Sequence, residues 1–254
     1  MKWSDNLKNY IITHKKFPSV TNENIYVPLL VGANKNHVEE YELKDNLFDD
    51  NISHLNSSFC ELTGMYWVWK HSREDIVGIS HYRRYFSKNR YVFRKSAILS
   101  ENDIRKDLST YDVIASLRGT GEILGNNTKD YFYRKHDGEV WENCKEIISN
   151  KFPEYIKSFE WYESQTDTYV CNMVIMNKSL FDSYCEWLFE ILFELDKSID
   201  YEKYDNYNKR MIGFVAERLQ NVWIKHHNLN VKEYPIYFTE DKIYSRIIKK
   251  LKNS

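Results

Sequence analysis

Apolar positions along the chain fall into short compact runs separated by longer stretches with helical spacing. Residues 9–14 (NYIITH) and 25–31 (IYVPLLV) are runs of strand length, and the polar, turn-rich stretch 44–54 reads as a loop. Over 58–70 a helix is predicted: Leu55, Phe59, Leu62, Tyr66 and Trp69 alternate at spacings of four and three, and Ser58 with Glu61 has the form of a capping box. The run 75–80 (DIVGIS) is a third strand, followed at once by His81, Tyr82, Arg83 and Arg84. A helix is expected to start at Ser100, with Asp103 closing its cap, and 111–116 (YDVIAS) gives a further strand.

The second half patterns less cleanly. Residues 117–167 read as irregular and aromatic, with one helix over 139–150 punctuated by Pro153. Residues 168–176 (TYVCNMVIM) read as a buried strand. The helix after it carries Leu180, Tyr184, Trp187, Ile191 and Leu195 on one stripe, with Ser179 and Asp182 as its capping box. A last helix is placed at 208–226 and an extended segment at 231–238. Strands alternating with helices, without repeats or low-complexity linkers, predict an α/β fold with a central, mainly parallel sheet flanked by helices. One domain over 1–240 is expected, about 1–116 forming one half and 117–240 the other.

Composition narrows the function classes. A net charge of -1 provides no bulk field toward nucleic acid. The 20 Tyr, 13 Phe and 7 Trp fit either an aromatic-rich core or a cleft that stacks on bases and sugar faces. Cys60, Cys144, Cys171 and Cys185 are scattered without a metal-type or disulfide pattern, which suits reduced thiols in the cytoplasm. The N-terminus lacks a signal-peptide apolar region and no segment is long and apolar enough to span a bilayer, so a cytoplasmic protein is expected. Residues 241–254 (DKIYSRIIKKLKNS) form a basic amphipathic tail, suited either to peripheral contact with the inner face of an anionic membrane or to docking on the domain.

Candidate chemistry follows from a rule of open α/β sheets: ligands bind beyond the carboxyl ends of the strands. Thr13, His14 and Lys15 stand there after the first strand, His81 to Arg84 after the central one, and Asn172 within a later strand. With only 8 Gly and no glycine-rich phosphate loop, no GxSxG and no Asp-x-Asp, neither a P-loop, nor a Rossmann site, nor a serine hydrolase, nor an evident divalent-cation site has its motif. A diphosphate bound here would be neutralised by cationic side chains: His81, Arg83, Arg84, Lys15 and Arg210. His81 also suits acid–base work, or a purely structural role. Glu217 projects from nearly the same helix face as Arg210, either as a base for an acceptor hydroxyl or as an ion pair with its neighbour Arg218. Glu61 carries the same two readings, a donor-site residue or simply the cap of its own helix, which is already a sufficient reason for its presence. Trp69 belongs to the apolar stripe, so Trp67 is the better tryptophan for lining a cleft, and Lys70, closing the same helix, is a donor-site candidate with it.

Taken together, THKKF, PLLVGA (28–33), DNIS (50–53), ELTGMYWVWK (61–70), DIVGISHYRRYF (75–86), NMVIMNKSLFDSYCEWLFEILFELD (172–196) and RMIGFVAERL (210–219) resemble a family of bacterial glycosyltransferases from capsule, O-antigen and exopolysaccharide clusters. The resemblance runs in order along most of the chain. It implies an A-type glycosyltransferase fold that uses a UDP-sugar, galactose in pyranose or furanose form, toward a polysaccharide or lipid-linked oligosaccharide acceptor. It further implies Gly32, Asn51 and Ser53 near the nucleotide, His81, Arg83 and Arg84 at the donor, and Glu217, with Asp167 in reserve, as the activating carboxylate. Metal-dependent members of that fold carry an Asp-x-Asp after a central strand; here HYRR stands in that place, so a divalent cation (Mg or Mn) is not supported by motif and arginine-based neutralisation is expected. The competing class is a non-catalytic carbohydrate- or nucleotide-binding module, and a third is a membrane-docked scaffold resting on the tail.

Overall fold

The computed structural model describes residues 6–19, 21, 24–89, 95–119 and 126–240. The basic tail 241–254 therefore lies outside the described residues.

Six strands form the main path of one sheet: β1 (Leu7–Thr13), β2 (Tyr26–Leu30), β3 (Ile76–His81), β5 (Val113–Ser116), β6 (Val174–Asn177) and β7 (Val231–Tyr234), in the order β2-β1-β3-β6-β5-β7. The pairs β1–β2, β1–β3 and β5–β7 are parallel, and β6 runs antiparallel to both its neighbours. All strands of this path except β6 thus point one way, as the alternation of elements predicts. Two short strands, β4 (Arg84–Phe86) and β8 (Ile236–Phe238), pair with each other, and β4 hangs from β3 at His81↔Arg84.

Period-two alternation sorts side chains to the two faces of the sheet. Tyr10, Ile12, Val77, Ile79, Val174 and Met176 join one core, against α2 (Leu62–His71), α5 (Gly138–Lys151), α6 (Ile156–Glu163), α7 (Lys178–Ser198) and α8 (Met211–His226). Leu7, Ile11, Ile76, Ile114 and Ile175 face a second core closed by α3 (Glu101–Leu108) and the β4–β8 ribbon. The predicted Ser100–Asp103 capping box is present, Asp103 N–H donating to Ser100 Oγ at 3.3 Å and Ser100 N–H to Asp103 Oδ2 at 2.9 Å. Asp137 caps α5 with a single bond, its Oδ1 accepting from Glu139 N–H at 2.9 Å.

Several elements depart from the sequence pattern, each for a local reason. The helix expected over 58–70 is two: α1 (Asn56–Phe59) ends at Cys60, whose φ of 51° lies in the left-handed region, and α2 restarts at Leu62. Phe59 before this break and Leu62 and Tyr66 after it are all buried in the same core, which is why their spacing reads through it. The 58/61 capping box does not form: Ser58 Oγ donates to Leu55 O at 3.2 Å, and Glu61 makes no cap bond. Nor does the 179/182 box, since Asp182 pairs with Lys178 and the first N–H of α7 donates to Asp75 O at 2.8 Å. The run 168–176 becomes a strand only at Val174, because Cys171 has φ 67° and breaks the extended chain. Pro235 splits 231–238, sending β7 to β5 and β8 to β4. The region read as irregular holds two further helices, α4 (Thr128–Lys135), capped by Asn127, and α6.

Candidate functional site

The carboxyl ends of β1 and β3 lie side by side, Ile12 opposite His81. Because β6 is reversed, its entering end reaches this same edge, and continuing the β3–β6 register two residues beyond Ile79↔Val174 sets Asn172 beside His81. A cavity of about 430 Å³ opens there, and Thr13, His14, Glu61, His81, Arg83, Arg84 and Arg210 all line it. These residues come from four separate stretches of chain, and the sheet topology brings them together.

Its cationic side has three guanidinium groups. Arg83 Nη1 pairs with Glu240 Oε2 at 2.7 Å, both side chains roughly half in water, a pair of small net strength. Arg84 is half-buried; it meets the Phe238 ring at 5.9 Å and the Cys171 thiol. Arg210 donates from Nε to Cys60 Sγ at 3.2 Å and lies 5.5 Å from the Phe214 ring. Neither Arg84 nor Arg210 has a carboxylate within ion-pair distance among the described residues, so both charges remain available to an anion. His14 registers the positive field: burial, and behind it the charges of Lys15, Arg83 and Arg210, hold its imidazole below the usual value.

The opposite side is acidic. Glu61, freed from capping by the break at Cys60, accepts from Asn172 Nδ2 at 2.7 Å; the same amide donates to Gly213 O at 3.2 Å, tying α2, the β6 approach and α8 together. On α8, close to the cavity but not among its lining residues, Glu217 pairs with Arg218 Nη1 at 3.2 Å. Burial raises the Glu217 pKa above the ordinary carboxylate value, Glu61 adds to the rise, and Arg218, Arg84 and Arg210 oppose it. His81 sits between the two sides. Burial pushes its imidazole down to about 4, so the ring is neutral at physiological pH, and its Nε2 is buried without a hydrogen-bond partner among the described residues. As a neutral ring it has no charge to offer a diphosphate.

A buried carboxylate that sequence reading missed holds the frame. Asp45 is fully buried and accepts four bonds: from Gly32 N–H at 2.8 Å, Ala33 N–H at 3.1 Å, Ser53 Oγ at 2.6 Å and Thr63 Oγ1 at 2.6 Å. It pins the chain leaving β2 to the start of α2. Gly32 belongs to this frame: its φ is +60°, and a Cβ there would lie 2.4 Å from Asn56 Oδ1. Ser53 likewise serves Asp45, and Asn51 braces the same loop, donating to Phe48 O at 2.6 Å and accepting from Ser53 N–H at 3.1 Å. Thr13 lines the cavity but spends its hydroxyl on a turn, donating to Lys15 O at 2.6 Å. Lys15 lies just outside, its Nζ 5.2 Å from the Tyr82 ring.

The structure does not bring Trp67, Lys70 or Asp167 to this cavity. Trp67 is 4% exposed, packed against Tyr10 and Phe48, whereas Trp69 is the half-buried tryptophan; α2 is buried on every side from Leu62 to Val68, so lying off one apolar stripe does not expose a residue. Lys70 is at the far end of α2 with its Nζ 3.5 Å over the Trp69 ring. Asp167 lines a different cavity, 4.0 Å from Arg118. Asn36, Asn56, Cys60 and Tyr82 line the main cavity and were not foreseen as ligand-facing. Tyr82 alone had a visible signal, lying between His81 and Arg83.

Among the described residues no three His, Cys, Asp or Glu side chains converge, and the place after β3 presents guanidinium groups.

A profile for a domain of unknown function, DUF4422, matches residues 8–228. The chain belongs to this family. Among solved structures it is similar to the apo form of the bifunctional glycosyltransferase WbbM, with a TM-score of 0.84 and 30% identity over 93% of this chain. The match covers 46% of the WbbM chain, so this chain spans less than half the length of that relative. No curated protein matches it. The α/β architecture of this DUF4422 chain is thus that of a glycosyltransferase-like domain. No helix among the described residues is long and apolar enough to cross a membrane.

Proposed function

We propose that the chain is a glycosyltransferase that moves a sugar, galactose in pyranose or furanose form, from a UDP-sugar to a lipid-linked or oligosaccharide acceptor of a surface polysaccharide. The observation that carries this reading is the convergence of Arg84 and Arg210, both without carboxylate partners among the described residues, with Glu61 in one cavity at the carboxyl edge of a glycosyltransferase-like sheet, Glu217 lying behind that lining within electrostatic reach of all three.

The chemistry divides along the cavity. Transfer breaks the bond between C1 of the sugar and the oxygen of the β-phosphate, and the bonding electrons leave with UDP. Guanidinium groups fixed at that oxygen before reaction stabilise the growing charge, because they need no reorganisation in the transition state. Arg84 and Arg210 occupy that role, with Arg83 able to exchange its exposed partner Glu240 for phosphate. In an inverting transfer the acceptor oxygen bonds to C1 and its proton passes to the Glu217 carboxylate. A base whose pKa burial has raised is better matched to that proton than an ordinary carboxylate. Glu61 and Asn172 hold the floor beneath the sugar, and neutral His81 offers hydrogen bonding without competing for phosphate.

Turnover of a UDP-sugar panel, read as UDP release with an oligosaccharide acceptor and repeated with a chelator, tests the reading. UDP release that depends on acceptor and survives chelation is expected. Tight sugar or nucleotide binding without any release would make the chain a binding module instead.

A further inference from the structure

A second cavity of about 300 Å³ opens between α6, α8 and the edge strand β7. Its walls are of two kinds. Trp161 and Tyr169 supply aromatic rings, each with a cation over one face: Lys225 Nζ lies 4.9 Å from the Trp161 ring, and the Arg118 guanidinium 5.7 Å from that of Tyr169. The other groups are planar and polar, and they are already held in place. Arg118 Nε donates to Glu233 Oε1 at 2.9 Å and its Nη1 stands 4.0 Å from Asp167, while Tyr169 OH donates to Glu233 at 3.3 Å. Asn221 fixes the floor, its Oδ1 accepting from Tyr169 N–H at 2.8 Å and its Nδ2 donating to Glu217 O at 2.9 Å.

Three features define what fits. The cavity is at the small end of ligand sites and large enough for a sugar ring. Its formal charges cancel, Arg118 and Lys225 against Asp167 and Glu233, so it has no bias toward phosphate, unlike the cavity around Arg84. An aromatic platform beside fixed carboxylate, amide and guanidinium groups suits a ring with an apolar face and a rim of hydroxyls.

Position supplies the link to catalysis. Along α8, Arg210, Phe214, Glu217, Asn221 and Lys225 recur at spacings of three and four and so share one side of the helix. Arg210 opens this stripe at the donor cavity; Asn221 and Lys225 close it in the second. At 1.5 Å per residue, they lie ~6 and ~12 Å beyond Glu217 along the axis, one to two sugar rings away. We propose that this second cavity seats a neutral sugar unit of the acceptor glycan, one or two residues behind the hydroxyl that Glu217 activates. The inference rests on the transferase reading for the identity of its ligand as acceptor, and Asp167 finds its place here as a hydrogen-bonding wall.

Saturation-transfer NMR with lactose, maltose and galactobiose, recorded with UDP present to fill the donor cavity, tests the assignment. At least one disaccharide is expected to bind in the millimolar range, and Trp161→Ala to weaken it about tenfold or more. Glu233→Gln, which keeps the side-chain shape, is expected to weaken it as well. UDP affinity, measured on the same samples, should be unchanged in both variants, which also verifies their fold. Failure of every disaccharide to bind the wild type, or binding unchanged in both variants, overturns the proposal. A chain that binds a disaccharide through Trp161 but not UDP keeps the sugar site and loses the transferase reading.

Discussion

At the scale of single residues, the division of labour in the site follows from what surrounds each charge. Arg83 has an exposed carboxylate partner, Arg84 and Arg210 have none among the described residues, and Glu217 is half-buried beside one guanidinium. Burial dominates at Glu217 and raises its pKa. The ionised form is the base, so activity falls as pH drops through that raised value, and the acid limb of the kcat profile lies above the range of an ordinary carboxylate. Glu217→Gln is expected to lower kcat by about 10²–10⁴-fold and to abolish that limb while leaving UDP affinity intact. A glutamine variant that keeps the wild-type kcat would remove Glu217 from the mechanism. The sequence exposes Glu217 through its spacing from Arg210 and marks Glu61 as a donor-site candidate, but a Ser-x-x-Glu pattern accounts for Glu61 equally well as a cap.

At the scale of elements, the site depends on joints more than on helices or strands. The break at Cys60 turns Glu61 toward Asn172, and the left-handed Gly32 lets the chain leave β2 against Asn56. Asn56 cannot yield, because its Nδ2 is held by Cys60 O at 2.7 Å and Thr63 Oγ1 at 3.0 Å. Gly32→Ala therefore combines an unfavourable backbone with a clash, a cost of about 2 kcal/mol. Calorimetry should show the melting temperature lowered by roughly 4–8 °C for a chain of this size; an unchanged transition would contradict the packing described. Such joints are faint in sequence. Helical spacing passes through the Cys60 break undisturbed, and nothing in the 168–173 run announces the positive φ at Cys171. Regular elements are plainer: β1, β3, α3, α5 and α7 stand close to where apolar periodicity and turn residues put them.

At the scale of the molecule, topology does what sequence spacing cannot. Arg84 and Arg210 are far apart in the chain, yet the reversed β6 and the packing of α8 on the sheet set them at one edge. The carboxyl-edge rule locates that edge from the strands alone, so Thr13, His14, His81, Arg83 and Arg84 are legible together. It gives no access to side-chain pairing, so it does not separate Lys15, just outside the cavity, from residues within it, nor place Trp67 in the core. The same topology runs α8 from the donor edge to a second, charge-balanced cavity, giving one helix contact with both sites.

Calorimetric titration of UDP into the wild type and into Arg84→Ala and Arg210→Ala tests the central claim most directly. A charge-assisted bond to phosphate is worth about 1.5–3 kcal/mol, so each variant should bind UDP roughly 10–150-fold more weakly while keeping the wild-type circular dichroism spectrum. Wild-type UDP affinity in both folded variants would contradict it.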